Sequence, residues 1–315
     1  MTDANKLAIG IDVGGTFIKA GLVSSRSDVV AKGELPSEAE RGPDHMIGRM
    51  AELATGLLKQ VPLSASLTGI GLGIPGTLSH REGIVYSPPN LPGWRNVPVA
   101  TKLAERVKLP VTLENDANCA AIAEYAGGAG RGSRHMVLLT LGTGVGGGII
   151  LDGKLWRGAD ECAAEIGHTI VHVGGRRCGC GQLGCLEAYA SASSTAARAA
   201  EALTVGRSSS LSALKSLTAK DVLVAAKAGD ALAREVWNDS CLYLAVACVN
   251  LHHLLNPDLI VLAGGMSAAG DDLLGPVREA VSSMGSRMIN KPPKICLAKL
   301  GNDAGFIGAA LGVFE

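Results

Sequence analysis

The sequence is poor in aromatic residues and has no excess of either charge. Only 3% of the 315 residues are Phe, Trp or Tyr, so the core must consist mainly of smaller aliphatic side chains. Lys and Arg together number 29, as do Asp and Glu, which leaves no electrostatic footprint for nucleic acid or an anionic membrane. The 42 glycines, about 13% against roughly 7% in average proteins, show no Gly-X-Y period and therefore do not indicate collagen.

Long hydrophobic segments are also lacking. The N-terminus has neither the basic segment nor the sustained apolar segment of a signal peptide. The longest apolar stretch, residues 137–151, is interrupted by glycines and is too short to cross a bilayer. Hydrophobic residues nevertheless make up 47% of the chain, too many for a disordered protein. The composition predicts a soluble cytoplasmic protein of two domains, each with its own core.

Two glycine-rich hairpins are the most informative repeat. Residues 7–23 and residues 136–151 each contain an apolar run, a glycine turn and a second apolar run. Either hairpin alone is equally well explained as a tight turn, but the pair predicts a duplicated domain in which each copy opens with a phosphate loop. Neither hairpin has the P-loop pattern, and both join strand to strand, unlike the dinucleotide-binding loop. We therefore expect ATP in a cleft between duplicated domains.

The rest of the chain alternates strands and helices, which favours an α/β architecture. Residues 187–255 are mostly helical in pattern. Within them, Thr218 and Asp221 have the spacing of a capping box, which predicts that a helix begins there.

Two aspartates follow predicted strands. Asp12 ends the first strand, where its carboxylate is suited to hold Mg²⁺ directly or through water. Asp116 lies where a strand gives way to a helix, and a carboxylate there can accept the proton of a hydroxyl that attacks the γ-phosphate of ATP. The alternative explanation is that Asp116 is an ordinary helix N-cap.

A cysteine cluster predicts a metal site. His168, Cys178, Cys180 and Cys185 form the pattern H-x9-C-x-C-x4-C, which suits a closed, structural zinc site. Free buried thiols are the alternative, and the other five cysteines are interpreted as buried apolar residues. On either side of the cluster stand Glu165 and Glu187, whose carboxylates are candidates to bind the hydroxyls of a polyol; each is also explained by a solvated surface position.

Together these motifs resemble the ROK family of sugar kinases and repressors, and bacterial glucokinases in particular. The resemblance runs from IGIDVGGT to GFIGAAL and includes residues 141–168, the glycine-rich signature, and the CGCGQLGCLE loop. It implies an α/β, actin-like (ribonuclease-H-like) duplicated two-domain fold that closes over ATP and sugar. We expect an N-terminal domain at 1–117, to which a helix at 303–315 returns, and a larger C-terminal domain with the zinc loop at 118–302.

The resemblance also implies roles for residues at the sugar. Asp116 would be the general base for the sugar 6-hydroxyl, and His168 would use one ring nitrogen for zinc and the other for sugar. The residues expected to contact the sugar are Asn90, Asn115, Asp116, Glu165, His168 and Glu187.

A second set is implied at the nucleotide, with ATP, Mg²⁺ and structural Zn²⁺ as cofactors. One departure from the family pattern is Phe17, which follows GGT where many members carry Lys; the next lysine is Lys19. The residues expected at the phosphates and Mg²⁺ are Asp12, Gly14, Gly15 and Thr16, with Gly142, Thr143 and Gly144 opposite, and those at the adenosine are Gly264 and Gly265.

The expected activity is ATP:hexose 6-phosphotransfer. Glucose is the expected substrate because the PPNLPGW loop is most like that of glucokinases, while N-acetylmannosamine, N-acetylglucosamine and fructose are alternatives. A sugar-responsive repressor is disfavoured because the first hairpin begins about seven residues from the start of the sequence and the charge is balanced. An actin-like chaperone or filament ATPase would lack the zinc loop. We expect a homodimer or homotetramer with no nucleic acid or membrane partner.

Overall fold

Two five-stranded sheets dominate the structure, a computed structural model that describes residues 6–88, 90–284 and 291–314. In both sheets the first two strands are joined by a glycine loop, as the hairpin patterns predict. The strands are β1 (Lys6–Val13), β2 (Phe17–Ser24), β3 (Val29–Pro36), β4 (Ser66–Ile74), β5 (Thr77–Ser79), β6 (Ile84–Ser87), β7 (Val111–Asn115), β8 (Met136–Leu141), β9 (Val145–Leu151), β10 (Lys154–Leu155), β11 (Leu259–Ala263) and β12 (Ile295–Leu297).

The two sheets have the same strand order. The first runs β3-β2-β1-β4-β7, with β1–β2 and β2–β3 antiparallel and β1–β4 and β4–β7 parallel. The second runs β10-β9-β8-β11-β12, with β8–β11 and β11–β12 parallel. Counted from the start of each sheet, both orders are third, second, first, fourth, fifth. The predicted duplication is therefore confirmed. A small antiparallel pair, β5-β6, stands apart from both sheets.

Within the described residues, four α-helices begin after a residue whose side chain accepts from one or more of their first N–H groups. The capping box predicted at Thr218 and Asp221 is confirmed, and Asp230 accepts from Ala233 N at the start of the longest helix. No helix of the described residues has the length and hydropathy that a membrane crossing needs. The helices are α1 (Pro43–Leu58), α2 (Val99–Val107), α3 (Asp116–Gly127), α4 (Glu187–Ala190), α5 (Ala192–Thr204), α6 (Ala219–Lys227), α7 (Ala231–Leu255), α8 (Asp271–Ser283) and α9 (Ala304–Leu311).

The chain divides into two units. The first comprises Met1–Gly132, Gly148–Ala163 and Lys299–Glu315, and the second comprises Ser133–Gly147 and Ala164–Ala298. The expected boundary at residue 117 is misplaced because it would cut α3, a continuous helix that belongs to the first unit. The segment that contains α9 also belongs to the first unit.

Within the first unit, α9 lies directly against the strands of the sheet. A Cβ at Gly10 of β1 would overlap the backbone of Phe306, and a Cβ at Gly71 of β4 would overlap the backbone of Ala309. Glycine is required at both positions because the helix backbone occupies the space of a side chain. The same strand β1 carries Asp12, whose carboxylate lies beside Gly305 at the start of α9.

Candidate active site

The first glycine loop joins β1 to β2. The N–H of Gly14 donates to the carbonyl of Phe17 at 3.0 Å and closes the turn. Gly15 and Thr16 are exposed, and their N–H groups have no acceptor among the residues that the structure describes. Asn90 lies beside the loop, its carbonyl oxygen 3.3 Å from the position of a Cβ on Gly15. The loop thus offers unpaired N–H groups of the kind that bind phosphate oxygens.

Two carboxylates, Asp12 and Asp116, influence each other in the first unit. Burial, and to a smaller extent the charge of Asp116, raise the pKa of Asp12 to about 6, while the charge of Lys19 opposes the shift. Lys19 is the cross-strand partner of Asp12 in the β1–β2 register. A buried carboxylate whose neighbour is also an acid is stabilised by a cation, which makes Asp12 a suitable residue to hold Mg²⁺.

Asp116 is not the N-cap of α3. The cap is Asn115, whose Oδ1 accepts from the N–H groups of Ala117 at 2.9 Å and Asn118 at 3.3 Å. Asp116 occupies the first helical position, where the helix dipole stabilises a negative charge, and its Oδ1 also accepts from Ala117 N at 2.9 Å. The capping alternative is therefore wrong for Asp116.

The same cap bears on the expected sugar contact of Asn115. Its Oδ1 serves the helix, and its Nδ2 donates to the carbonyl of Gly76 at 3.3 Å. Both ends of the amide are thus used within the protein. The role of Asn115 at the sugar stays a prediction, as does that of Asn90.

Sequence analysis missed a buried ion pair beside Asp116. Glu114, only 7% exposed, accepts from Arg157 Nε at 2.7 Å through Oε2. Its Oε1 accepts from Asn118 Nδ2 at 2.8 Å and from Asn115 N at 2.9 Å. This carboxylate fixes the strand end that leads into Asp116. Glu114 directly precedes the predicted site, but no periodicity relates it to a residue 43 positions away.

The second glycine loop joins β8 to β9. The N–H of Gly142 donates to the carbonyl of Gly144 at 3.0 Å, and Ala192 N donates to the carbonyl of Gly142 at 2.8 Å. In the described part of the chain, the N–H groups of Thr143 and Gly144 have no acceptor. The second loop therefore also offers unpaired N–H groups for phosphate oxygens.

Glu187 supports this loop. Its Oε2 accepts from Val145 N at 3.0 Å and lies so close to Gly144 that a Cβ there would overlap it. Its Oε1 lies 3.5 Å from the Sγ of Cys178. Glu187 thus joins the second glycine loop to the cysteine cluster within the second unit.

The predicted metal ligands come together. The donor atoms of His168, Cys178, Cys180 and Cys185 all lie within 4.8 Å of one another. The Cys180 and Cys185 Sγ atoms are 3.7 Å apart, and His168 Nδ1 is 3.6 Å from Cys178 Sγ. Two thiolates on a tetrahedral Zn²⁺, each at about 2.3 Å, would be about 3.8 Å apart. The donor set and its spacing therefore fit a four-coordinate metal ion.

The thiols of the cluster differ in acidity when no metal is bound. Burial raises the pKa of Cys178 to about 12 and also raises that of Cys185. The N–H of Gln182 lowers the pKa of Cys180 to about 7. Outside the cluster, three cysteines are buried as expected, but Cys296 is only partly buried and Cys162, in the irregular segment after β10, is exposed.

His168 separates the metal ligands from Glu165. Its Nδ1 belongs to the cluster, while its Nε2 lies 4.0 Å from Glu165 Oε2. Glu165 is half exposed, with 52% of its side chain accessible. The ring therefore presents its second nitrogen on the side of a carboxylate that is open to solvent.

An aromatic cluster that the sequence did not reveal supports the cysteine loop. The rings of Tyr189 and Tyr243 lie 4.1 Å apart, and Tyr243 forms a hydrogen bond of 2.8 Å with His172 Nδ1. Tyr189 Oη accepts from Arg176 N at 2.6 Å, two residues before the first cysteine of the loop. Tyr189 also packs with Cys178 in a small buried core.

The glycines expected at the adenosine differ in their surroundings. Gly264 has a φ of +83°, and a Cβ there would overlap the backbone of Leu141. Glycine is required at this position by the turn after β11 itself. The Cβ position of Gly265 is open, with nothing within 4 Å. The adenosine role of both stays a prediction.

The chain is similar to known proteins both in sequence and in structure. Residues 8–314 match the ROK family. A glucokinase of Halalkalibacterium halodurans is 42% identical over 95% of this chain and 92% of its own length. A ROK hexokinase from Thermus thermophilus superposes with a TM-score of 0.84 at 31% identity, over 98% of both chains. A ROK family glucokinase from Streptomyces griseus, solved with glucose and AMPPNP, superposes with a TM-score of 0.80 at 31% identity, over 96% of this chain and 98% of that one. The expected actin-like α/β fold is confirmed.

Proposed function

Because the chain belongs to the ROK family, we propose that it is an ATP-dependent glucokinase, which transfers the γ-phosphoryl group of ATP to the 6-hydroxyl of glucose. The observation that carries the proposal is the 42% identity to a glucokinase over nearly the whole of both chains. The two carboxylates beside the first glycine loop supply groups that this reaction needs.

Asp116 is the proposed general base. Its carboxylate accepts the proton of the sugar 6-hydroxyl while that oxygen bonds to the γ-phosphorus and the bond from the phosphorus to the leaving ADP oxygen breaks. Asp116 occupies the first position of α3, where the helix dipole favours a negative charge. Glu114 and Arg157 hold the strand end that positions it.

The two glycine loops are the proposed phosphate sites. When bound, Mg²⁺ neutralises charge on the phosphates of ATP, and Asp12 is the residue that would hold it. The unpaired N–H groups of Gly15 and Thr16 in the first loop, and of Thr143 and Gly144 in the second, would bind phosphate oxygens.

Zinc is the proposed metal of the cysteine cluster, which supplies four protein ligands and therefore a closed, structural site. Its role is to fix the ring of His168 so that Nε2, with Glu165 and Glu187, is oriented for sugar hydroxyls. A cytoplasmic location and a homodimer or homotetramer stay predictions.

The test is a coupled assay of ADP release with glucose, mannose, fructose and the N-acetylhexosamines. We expect the highest kcat/KM with glucose; a clear preference for an N-acetylhexosamine or for fructose would contradict the proposed substrate. Asp116→Asn should lower kcat by about 10³-fold or more, in the range of lost general-base catalysis, with the KM for ATP nearly unchanged.

The matched control is Asp258→Asn. Asp258 accepts from two backbone N–H groups, those of Arg134 and His135, in the second unit. The Asp258→Asn variant should retain the kcat of wild type, which separates the loss of a base from the loss of any structural aspartate. Near-normal kcat in Asp116→Asn would remove Asp116 as the base.

A further inference from the structure

Ser37 makes two hydrogen bonds to the first glycine loop. It follows β3 directly and is fully buried, with 0% of its surface exposed. Its Oγ donates to the carbonyl of Gly14 at 2.6 Å, and its N–H donates to the carbonyl of Thr16 at 2.9 Å. Ser37 therefore binds the loop on both sides of Gly15, from the interior of the first unit.

These two bonds set the direction of the loop's N–H groups. In a trans peptide the C=O and the N–H point in opposite directions, and the bond between residues 14 and 15 is trans. Because the carbonyl of Gly14 is turned toward buried Ser37, the N–H of Gly15 is turned the opposite way. Gly15 is exposed, and its N–H has no acceptor within the described ranges. The outward direction of this N–H is thus linked to a bond made on the inner side.

A glycine loop needs such a constraint. Two adjacent glycines rotate between backbone conformations at little steric cost, so the direction of the 14–15 peptide plane is not fixed by the loop's own residues. The bond from Ser37 Oγ holds that plane, and its loss would leave the Gly14 carbonyl without this partner.

We propose that Ser37 is a positioning residue for the phosphate site, which orients the Gly15 N–H toward the phosphates of ATP without touching the nucleotide. The identity of the ligand rests on the proposed function. Ser37 should therefore affect the binding of the phosphates, and not the binding of adenosine or sugar.

The experiment compares Ser37→Ala with Ser24→Ala. Ser24 is also a buried serine of the first sheet, 7% exposed, and its Oγ donates to Asp28 Oδ2 at 3.0 Å, away from the loop. For both variants we would measure the KM for ATP, the KM for glucose, the Ki of adenosine as a competitor of ATP, and Tm. Both variants lose a buried hydroxyl, so a purely structural effect would be common to them.

Ser37→Ala should raise the KM for ATP about 3- to 10-fold, the range of one lost hydrogen bond. The Ki of adenosine and the KM for glucose should stay within about twofold of wild type, as should all constants of Ser24→Ala. Ser37→Cys keeps the size of the side chain but is a weak donor, and it should reproduce the selective loss if the alanine variant does not fold. An unchanged KM for ATP in a folded variant, or an equal loss for adenosine, would overturn the proposal.

Calorimetric titration of MgATP in the absence of sugar separates this proposal from the proposed function. If wild type binds MgATP but does not phosphorylate glucose, the proposed substrate fails while Ser37 remains testable. Equal MgATP affinity in wild type and Ser37→Ala would contradict the role of Ser37 whatever the sugar.

Discussion

The two glycine loops lie at equivalent places in two sheets of the same strand order, yet different chemistry supports them. The first is held by the neutral hydroxyl and N–H of Ser37, and the second by the carboxylate of Glu187. The charge of Asp116 already raises the pKa of Asp12 beside the first loop, where a third acid would add repulsion. A duplicated backbone thus does not duplicate its supporting side chains.

The second loop can use a carboxylate because of its neighbour. The Cys178 thiol donates to Glu187 Oε1 at 3.5 Å, and a metal bound to Cys178 would displace the proton that this hydrogen bond needs. The shape of the second loop should therefore depend on the metal, while that of the first should not.

The largest effect is expected from loss of the metal. Cys180→Ser should abolish stoichiometric zinc and lower Tm by about 10 °C or more, since structural zinc contributes directly to folding free energy. Cys162→Ser, at an exposed cysteine outside the cluster, should change neither. Metal analysis and thermal unfolding measure both outcomes, and a Cys180→Ser protein with full zinc content would refute the assigned ligand.

The thiol pKa values also predict how many protons the cluster releases when Zn²⁺ binds. Cys178 and Cys185 are protonated at pH 7 without metal, whereas Cys180 is partly ionised. Adding Zn²⁺ to the metal-free protein should therefore release between about two and three protons, measurable by calorimetry in buffers of different ionisation enthalpy.

The next effect tests the support of the strand end that leads into Asp116, the proposed base. Arg157→Met should lower the free energy of unfolding by about 3–5 kcal/mol because it removes the guanidinium that donates to the buried Glu114 carboxylate. Arg207→Met removes an exposed partner of Glu235 and should cost about 1 kcal/mol or less. Denaturant titration would compare the two, and equal losses would show that burial of Glu114 does not decide the effect.

The smallest of these effects is a pH dependence at Asp12. Its pKa is raised from 3.8 to about 6 in the folded protein by burial and by Asp116, so the folded state holds this proton more tightly than the unfolded chain. Below about pH 4 the carboxyl is protonated in both states, and its raised pKa does not lower the free energy of unfolding. This free energy falls as the pH rises from about 4 to about 6, and the loss is complete above that.

Asp12→Asn should therefore stabilise the metal-free protein by on the order of 2 kcal/mol at pH 8 and by much less at pH 4, while it removes activity. Thermal unfolding in EDTA at the two pH values measures the difference. A stabilisation of equal size at pH 4 and pH 8 would contradict the pH dependence expected for Asp12.

Local patterns predicted the local structure well. The glycine hairpins, the capping box at Thr218 and the cysteine spacing are signals carried by neighbouring residues, and the structure contains each of them. The alternative that made Asp116 the cap of α3 was one residue late, because Asn115 and Asp116 are adjacent and both residue types cap helices. The expected domain boundary at residue 117 lies at the start of α3, whereas the first unit continues to Gly132.

The contacts between residues far apart in sequence, which support the first glycine loop and the strand end before Asp116, could not be predicted. Ser37 is 23 residues from Gly14, and Arg157 is 43 from Glu114. Neither pairing repeats with a helical or strand period, and a serine or an arginine in a loop has many other possible partners. Such contacts depend on tertiary packing, which one sequence does not display.

The packing of α9 against Gly10 and Gly71 has a consequence for synthesis of the chain. The ribosome makes β1 to β7 first, but the helix that covers two of these strands follows the whole second unit in the sequence. During translation the second unit can therefore be complete while part of the first sheet still lacks its cover. The unit that is begun first therefore reaches its full packing only when α9, near the end of the sequence, is in place.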